Sequence, residues 1–220
     1  MQDEALRVQI VEAMNQLARD GLNGGSSGNI SARFENSMLI SPSGVMPADL
    51  APQMVCKMDL ASPTGDWEGA HAPSSEWRFH RDILNSKPDV GAVVHTHAQF
   101  STILSILRRP IPPIHYMVAV FGGSDIPVTN YARFGSQKLS DEILRVLQDR
   151  RGCLMANHGM IVAGSDVDHA LWLAGELETL SSQFYHTESV GGGVRLSDAE
   201  MADVVEALHN YGPKKVESDA

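Results

Sequence analysis

Leu6, Ile10, Ala13, Met14 and Leu17 recur at helical spacing and predict an amphipathic helix over residues ~3–20, stopped at Gly21. Strands are predicted at Asn29–Phe34 and Met38–Ser41 around the turn Glu35-Asn36-Ser37, and again at Met54–Leu60. Ser41–Gly44 and Ser62–Gly65 read as turns. Ser74 and Ser75 supply N-caps for a helix from Glu76 to about Asn85, which Pro88 bars from continuing. The Val-rich run Ala92–Ala98 predicts a buried strand and Phe100–Leu107 a short helix; Ile114–Phe121 and Ile126–Val128 look extended, and ~138–149 helical. Cys153–Ala156 and Met160–Ala163 read as strands flanking Asn157-His158-Gly159. Ala170–Tyr185 predicts a long helix, and the capping box Ser197-Asp198-Ala199-Glu200 opens a last one ending near Tyr211-Gly212-Pro213. The expected fold is α/β (α+β-like), with a central, largely antiparallel sheet covered by helices. One domain is expected over 1–220, with a polar tail at about 214–220.

Composition changes this picture little. The 220 residues are 43% hydrophobic and 20% charged, ordinary globular values. A net charge of −10 argues against a nucleic-acid partner, although a local nest of backbone N–H groups still holds a small phosphate. Cys56 and Cys153 lie in apolar runs with no metal or redox spacing, as expected of buried free thiols in a reducing cytoplasm. The acidic, amphipathic N-terminus is unlike a signal peptide, and no run of apolar residues reaches membrane-spanning length, so no membrane partner is expected.

The sharpest chemical signal is Val93-Val94-His95-Thr96-His97. Alternation along a strand puts His95 and His97 on one side, a natural grip for a metal, though the pair alone fits two packed histidines as well. His158 sits between two apolar runs before Gly159, where a tight turn would point its ring inward; a structural histidine is the plain alternative. Three imidazoles with an open position are what a catalytic zinc needs. The remaining histidines, His80 among them, read as surface or packing residues. Glu76 stands where the helix dipole favours a carboxylate, which explains an acid here by itself; the functional reading is a general base beside the metal. Gly24–Asn29, Ser43-Gly44 and Ser74-Ser75 offer hydroxyls and backbone N–H groups that together would cradle a phosphate, and each alone is simply a connection.

Taken in order, GSSGNISAR (Gly25–Arg33), LISPSG (Leu39–Gly44), PSSEWRFH (Pro73–His80), VVHTHA (Val93–Ala98), IHYM (Ile114–Met117), YARFG (Tyr131–Gly135) and NHGM (Asn157–Met160) resemble the class II aldolase/adducin family, in its L-fuculose-1-phosphate aldolase branch. The resemblance runs from the first helix to Tyr211, and it implies helices on both sides of the sheet. It also implies Zn2+, or Mn2+ or Co2+ as substitutes, on His95, His97 and His158. Glu76 would be the acid/base and a fourth ligand in the resting enzyme. Ser26, Ser27, Gly28, Asn29, Ser43, Gly44, Ser74 and Ser75 would bind the substrate phosphate. Tyr116 and Tyr211 would sit near the aldehyde end, in a homotetramer with active sites between subunits. The sequence departs from that branch at Ser26-Ser27, Gly69–Ala72, Thr96 and Asn157, which leaves the sugar open.

The implied reaction is reversible retro-aldol cleavage of a ketose 1-phosphate to dihydroxyacetone phosphate and an aldehyde. The metal would stabilise the enediolate, a tyrosine would exchange a proton with the aldehyde oxygen, and Glu76 would protonate carbon. The alternatives are a sugar-phosphate epimerase, an oxo-tetronate-phosphate decarboxylase, a methylthioribulose-phosphate dehydratase, and an adducin-like binding module without enzymatic activity.

Overall fold

The computed structural model describes residues 2–209. Gln2–Arg19 forms the first helix, α1, and its end has a clear cause. Gly21 takes a left-handed φ of 71°, so that Gly21 N–H reaches Ala18 O and Leu22 N–H reaches Leu17 O. These two bonds satisfy carbonyls that the last turn would otherwise leave open.

Seven strands follow, interleaved with helices: Asn29–Phe34 (β1), Ser37–Ile40 (β2), Cys56–Asp59 (β3), Trp67–Glu68 (β4), Ala92–Thr96 (β5), Gly152–Met155 (β6) and Gly159–Gly164 (β7). They form one sheet in the order β4-β3-β2-β1-β5-β7-β6, and every neighbouring pair is antiparallel. The largely antiparallel sheet is borne out. The remaining helices are Trp77–Ser86 (α2), Gln99–Leu107 (α3), Gln137–Leu147 (α4), Val167–Ser189 (α5) and Asp198–His209 (α6).

Two apolar clusters show why β5 and β7 are hydrophobic almost without a break. Val94, Met160 and Val162 pack with α1 and α5 residues such as Ile10, Leu17, Leu173 and Leu177. Their alternate neighbours Val93, Ile161 and Ala163 pack with Phe79, Ile83, Leu139 and Ile143 of α2 and α4. The sheet is therefore covered on both faces, and polar alternation disappears from its centre. Both cysteines are buried free thiols, and burial pushes Cys56 up to about 11.

Several expectations need correction. Ile114–Phe121 was expected to be extended, yet Tyr116–Phe121 is a 3-10 helix. Its β-branched and aromatic content favours a strand. However, His115 accepts the Met117 N–H at 3.1 Å, and Val118 and Phe121 are buried against the helical layer instead of pairing at a sheet edge. The segment Ile126–Val128 contributes only isolated bridges, to Ile111 and Leu154. Helix α2 starts at Trp77, one residue later than expected. Ser74 does not cap it from the N-cap position; its carbonyl accepts from Trp77 N–H and its hydroxyl from Glu76 N–H, so Glu76 is the boundary residue. Strand β5 ends at Thr96, leaving His97 one residue beyond the ladder. Helix α5 starts earlier than predicted because Asp166, not a residue near Ala170, accepts the His169 N–H as its cap. The reciprocal capping box Ser197/Glu200 is present as expected. The predicted end of α6 at Tyr211 and the polar tail lie outside the described residues. No helix among the described residues is long and apolar enough to cross a membrane.

Candidate active site

The site gathers where β1, β5 and the β6–β7 turn meet the start of α2. Asn29 and His95 are direct cross-strand neighbours on β1 and β5, so they project from the same face toward α2. His97 follows just past the end of β5, and His158 sits in the turn before β7. One ring nitrogen from each of His95, His97 and His158 lies within 4.8 Å of the others.

That turn has a specific construction. Asn157 carries the left-handed backbone, with φ 56°, a conformation that asparagine tolerates better than most residues. Gly159, expected to permit the tight turn, is needed for a different reason: a Cβ there would lie 2.4 Å from Thr96 O and 3.0 Å from the His97 ring. The glycine lets β5 and β7 approach closely enough for their histidines to meet. Ser105 of α3 pins the turn, since its carbonyl accepts from Asn157 N–H and its hydroxyl from His158 N–H.

The donor set fits a divalent metal. His95 Nδ1 lies 2.8 Å from Met160 O and must carry the proton, because a carbonyl only accepts. Its Nε2 therefore presents a lone pair. This nitrogen is buried without a hydrogen-bond partner and lies 3.3 Å from Glu76 Oε2. Glu76 Oε1 is likewise buried without a hydrogen bond, 3.4 Å from His158 Nε2. At His95 Nε2 and Glu76 Oε2, lone pairs face one another in a buried site, which calls for a cation between them. Burial, then the neighbouring His97, pulls His95 down to about 3. Burial and the charge of His95 pull His158 down to about 4, against the opposing pull of Glu76. Burial also lowers His97, again opposed by Glu76. All three rings are thus neutral near pH 7 and available as ligands.

A cavity of about 330 Å³ opens beside this cluster. Ser26, Ser27, Gly28, Asn29, Ser43, Gly44, Ser74, Ser75 and Glu76 line it together with His97 and His158. His95 lies behind, fully buried. The small-residue loops are tied to each other and to the metal cluster. Ser43 N–H reaches Ala72 O, and Ser74 N–H reaches Ser41 O, each at 3.0 Å. Asn23 Oδ1 accepts the His97 N–H, and Gly28, at φ 76°, packs so close to Asn23 that a Cβ would overlap its amide.

The sequence reading did not assign Tyr131, Phe134 or Asn157 to the site, and all three line the cavity. The two aromatics are 56% and 60% exposed, so they form its apolar lip. Helical or strand periodicity has no purchase on such a loop, although its aromatic pair was a visible signal. Tyr116 is not brought to this cavity; it is half exposed and lines a separate apolar groove with Trp172 and α6 residues. Tyr211 lies outside the described residues.

Comparison with known proteins agrees with this architecture. Residues 8–185 match the family described as Class II Aldolase and Adducin N-terminal domain. A 5-methylthioribulose-1-phosphate/5-deoxyribulose-1-phosphate aldolase of Rhodospirillum rubrum is 46% identical over 208 residues, covering 94% of this chain and 93% of that protein. An L-fuculose phosphate aldolase of Escherichia coli is 41% identical over 213 residues, covering 96% and 98%. The solved structure of an L-fuculose 1-phosphate aldolase superposes with a TM-score of 0.89 at 29% identity, covering 93% of this chain and 96% of that one. With the family match spanning most of the chain and these relatives aligned nearly end to end, the chain belongs to the class II aldolase and adducin family, on the side of its lyases.

Proposed function

We propose that this chain is a zinc-dependent aldolase that reversibly cleaves a ketose 1-phosphate into dihydroxyacetone phosphate and an aldehyde. The observation that carries the reading is a single cavity that joins His97, His158 and Glu76 to three serine- and glycine-lined loops. His95, His97 and His158 would hold the cation, zinc in this reading, with manganese or cobalt as substitutes. Bound there, it would polarise the ketose oxygens and offset the negative charge that develops as the C–C bond breaks.

The chain's own residues do the rest. Ser26, Ser27, Gly28, Asn29, Ser43, Gly44, Ser74 and Ser75 bind the phosphate through hydroxyl, amide and backbone N–H donors, which work on an acidic protein because they act locally. Glu76 delivers a proton to the substrate carbon released by cleavage, and removes it in the synthetic direction. Tyr131 and Phe134 give the mouth an apolar wall suited to a deoxy or methylthio end. Tyr116, exposed and away from its own cavity, serves the site of a neighbouring subunit in a homotetramer, and Tyr211 takes the second tyrosine role there. A charged sugar phosphate does not cross membranes unaided, which supports a cytoplasmic location for the enzyme.

The test is a panel of 5-deoxyribulose, 5-methylthioribulose and L-fuculose 1-phosphates assayed for dihydroxyacetone phosphate. Dihydroxyacetone phosphate is expected from at least one. Preferences in kcat/KM of about 10–200-fold are expected where substrates differ by one small apolar group, since such a group is worth only ~1–3 kcal/mol. Carbon dioxide release, loss of water or epimerisation without dihydroxyacetone phosphate would replace the aldolase reading with the corresponding family reaction.

A second expectation concerns Ser74 and Ser75. Charge-assisted hydrogen bonds contribute roughly 1.5–3 kcal/mol each, so changing both to Ala should raise KM for the phosphorylated ketose by about 10²-fold or more. KM for the unphosphorylated analogue should barely move. An equal rise for both substrates would reduce these serines to the backbone role that Ser74 already plays.

A further inference from the structure

Behind Glu76 lies a chain of buried polar groups, of which the reaction outlined above uses Asn29 but neither His80 nor Ser31. Glu76 and His80 are four residues apart at the start of α2, and so they lie one above the other. Asn29 and Ser31 are two apart on β1, and they face the same way. Asn29 Nδ2 donates to Glu76 Oε2 at 3.1 Å, His80 Nε2 bonds Asn29 Oδ1, and Ser31 Oγ lies 2.8 Å from His80 Nδ1. All four side chains are buried, His80 and Ser31 completely.

Chemistry fixes the direction of every link. Asn29 cannot turn its carbonyl to a carboxylate, so its NH2 faces Glu76 and its oxygen faces His80. That oxygen accepts only, hence His80 Nε2 carries the hydrogen. The neutral ring then has its lone pair on Nδ1, which accepts from the Ser31 hydroxyl. The donors run Ser31 to His80 to Asn29 to Glu76, and each link polarises the next toward the carboxylate.

We propose that His80 is a positioning residue for Glu76: by holding the Asn29 amide in one orientation, it commits Oε2 to accepting a hydrogen bond and leaves Oε1 to carry the exchangeable proton. Oε1 is the oxygen without a hydrogen-bond partner. Without His80, the Asn29 carbonyl is left unsatisfied in a dry site, and the amide gains a reason to flip and set its oxygen against the carboxylate. The inference rests on Glu76 being the acid/base, and the experiment separates the two.

The measurements are kcat, KM, metal content and the solvent exchange of the carbon-bound proton of dihydroxyacetone phosphate. Loss of an outer-shell partner typically costs 10–100-fold, so His80→Leu should lower kcat and exchange together by about that factor. Metal content should stay near wild type, and any rise in KM passed on through Asn29 should be smaller than the fall in kcat. His80→Gln, whose amide N–H reaches the same distance from the backbone, should recover most of the loss. In a Glu76→Gln background, His80→Leu should cause little further loss, because its effect passes through that carboxylate. Ser31→Ala, which keeps the volume, should give a smaller fall in the same direction. Wild-type kcat in folded His80→Leu, equal losses with Gln and Leu, or full additivity with Glu76→Gln would each overturn the proposal. If His80→Leu does not fold, wild-type exchange in Ser31→Ala overturns it instead. Wild-type exchange in Glu76→Gln alone would overturn the acid/base reading itself and, with it, this inference.

Discussion

His97→Ala is expected to purify nearly free of metal and to lose activity by about 10³-fold or more, because two imidazoles cannot complete the three-ligand set of a catalytic site. His97 is the informative ligand to remove. His95 is fully buried, bonds Met160 O and packs edge-on against Phe79, so its truncation would empty part of the core as well as the site. His97 sits past the end of β5 on the cavity wall, so its loss enlarges an open cavity and leaves the core intact. The thermal midpoint of His97→Ala should match that of chelated wild-type protein, with metal content read by elemental analysis. Full activity in metal-free His97→Ala would refute the metal-dependent reading.

Glu76→Gln should reduce kcat by about 10²–10⁴-fold, the range for a lost general acid or base, while the three imidazoles keep the metal. The substitution preserves shape. Its carbonyl will take the hydrogen bond from Asn29 Nδ2, which turns the new NH2 toward His158, whose Nε2 now lies 3.4 Å from Oε1. Metal content must therefore be measured alongside kcat. Proton exchange at the substrate carbon should fall in step with turnover. Exchange at the wild-type rate would leave Glu76 as no more than the boundary residue before α2.

How much of this was written in the pattern depends on the element. β5 and β7 were legible because buried strands concentrate β-branched residues, β1 because the turn Glu35-Asn36-Ser37 bounds it, and α6 because Ser197 and Glu200 announce its start. The order of strands was not legible: β1 joins β5, and β5 joins β7, through pairings that no local window contains. Ile114–Phe121 misled because its composition suits a strand while its neighbours offer none. His95 and His97 were visible as a pair, but the reason for Gly159 was not, since it lies in the approach of Thr96 from another strand. His80 passed as a packing residue because a lone histidine on a helix has no spacing of its own. Its position one turn after Glu76 was the available clue.

The seam between β5 and β7 has a consequence for how the molecule assembles. His95 and Met160, bonded across it, are 65 positions apart in the chain, and β5 on its other side pairs with the distant β1. Closing such loops costs chain entropy before any contact rewards it, and non-local pairings of this kind slow folding. The histidines converge only when that seam has zipped. Until then the chain offers only the local His95–His97 pair, so the complete three-imidazole set would belong to the folded sheet, and a metal held there would stabilise the native state and slow its unfolding.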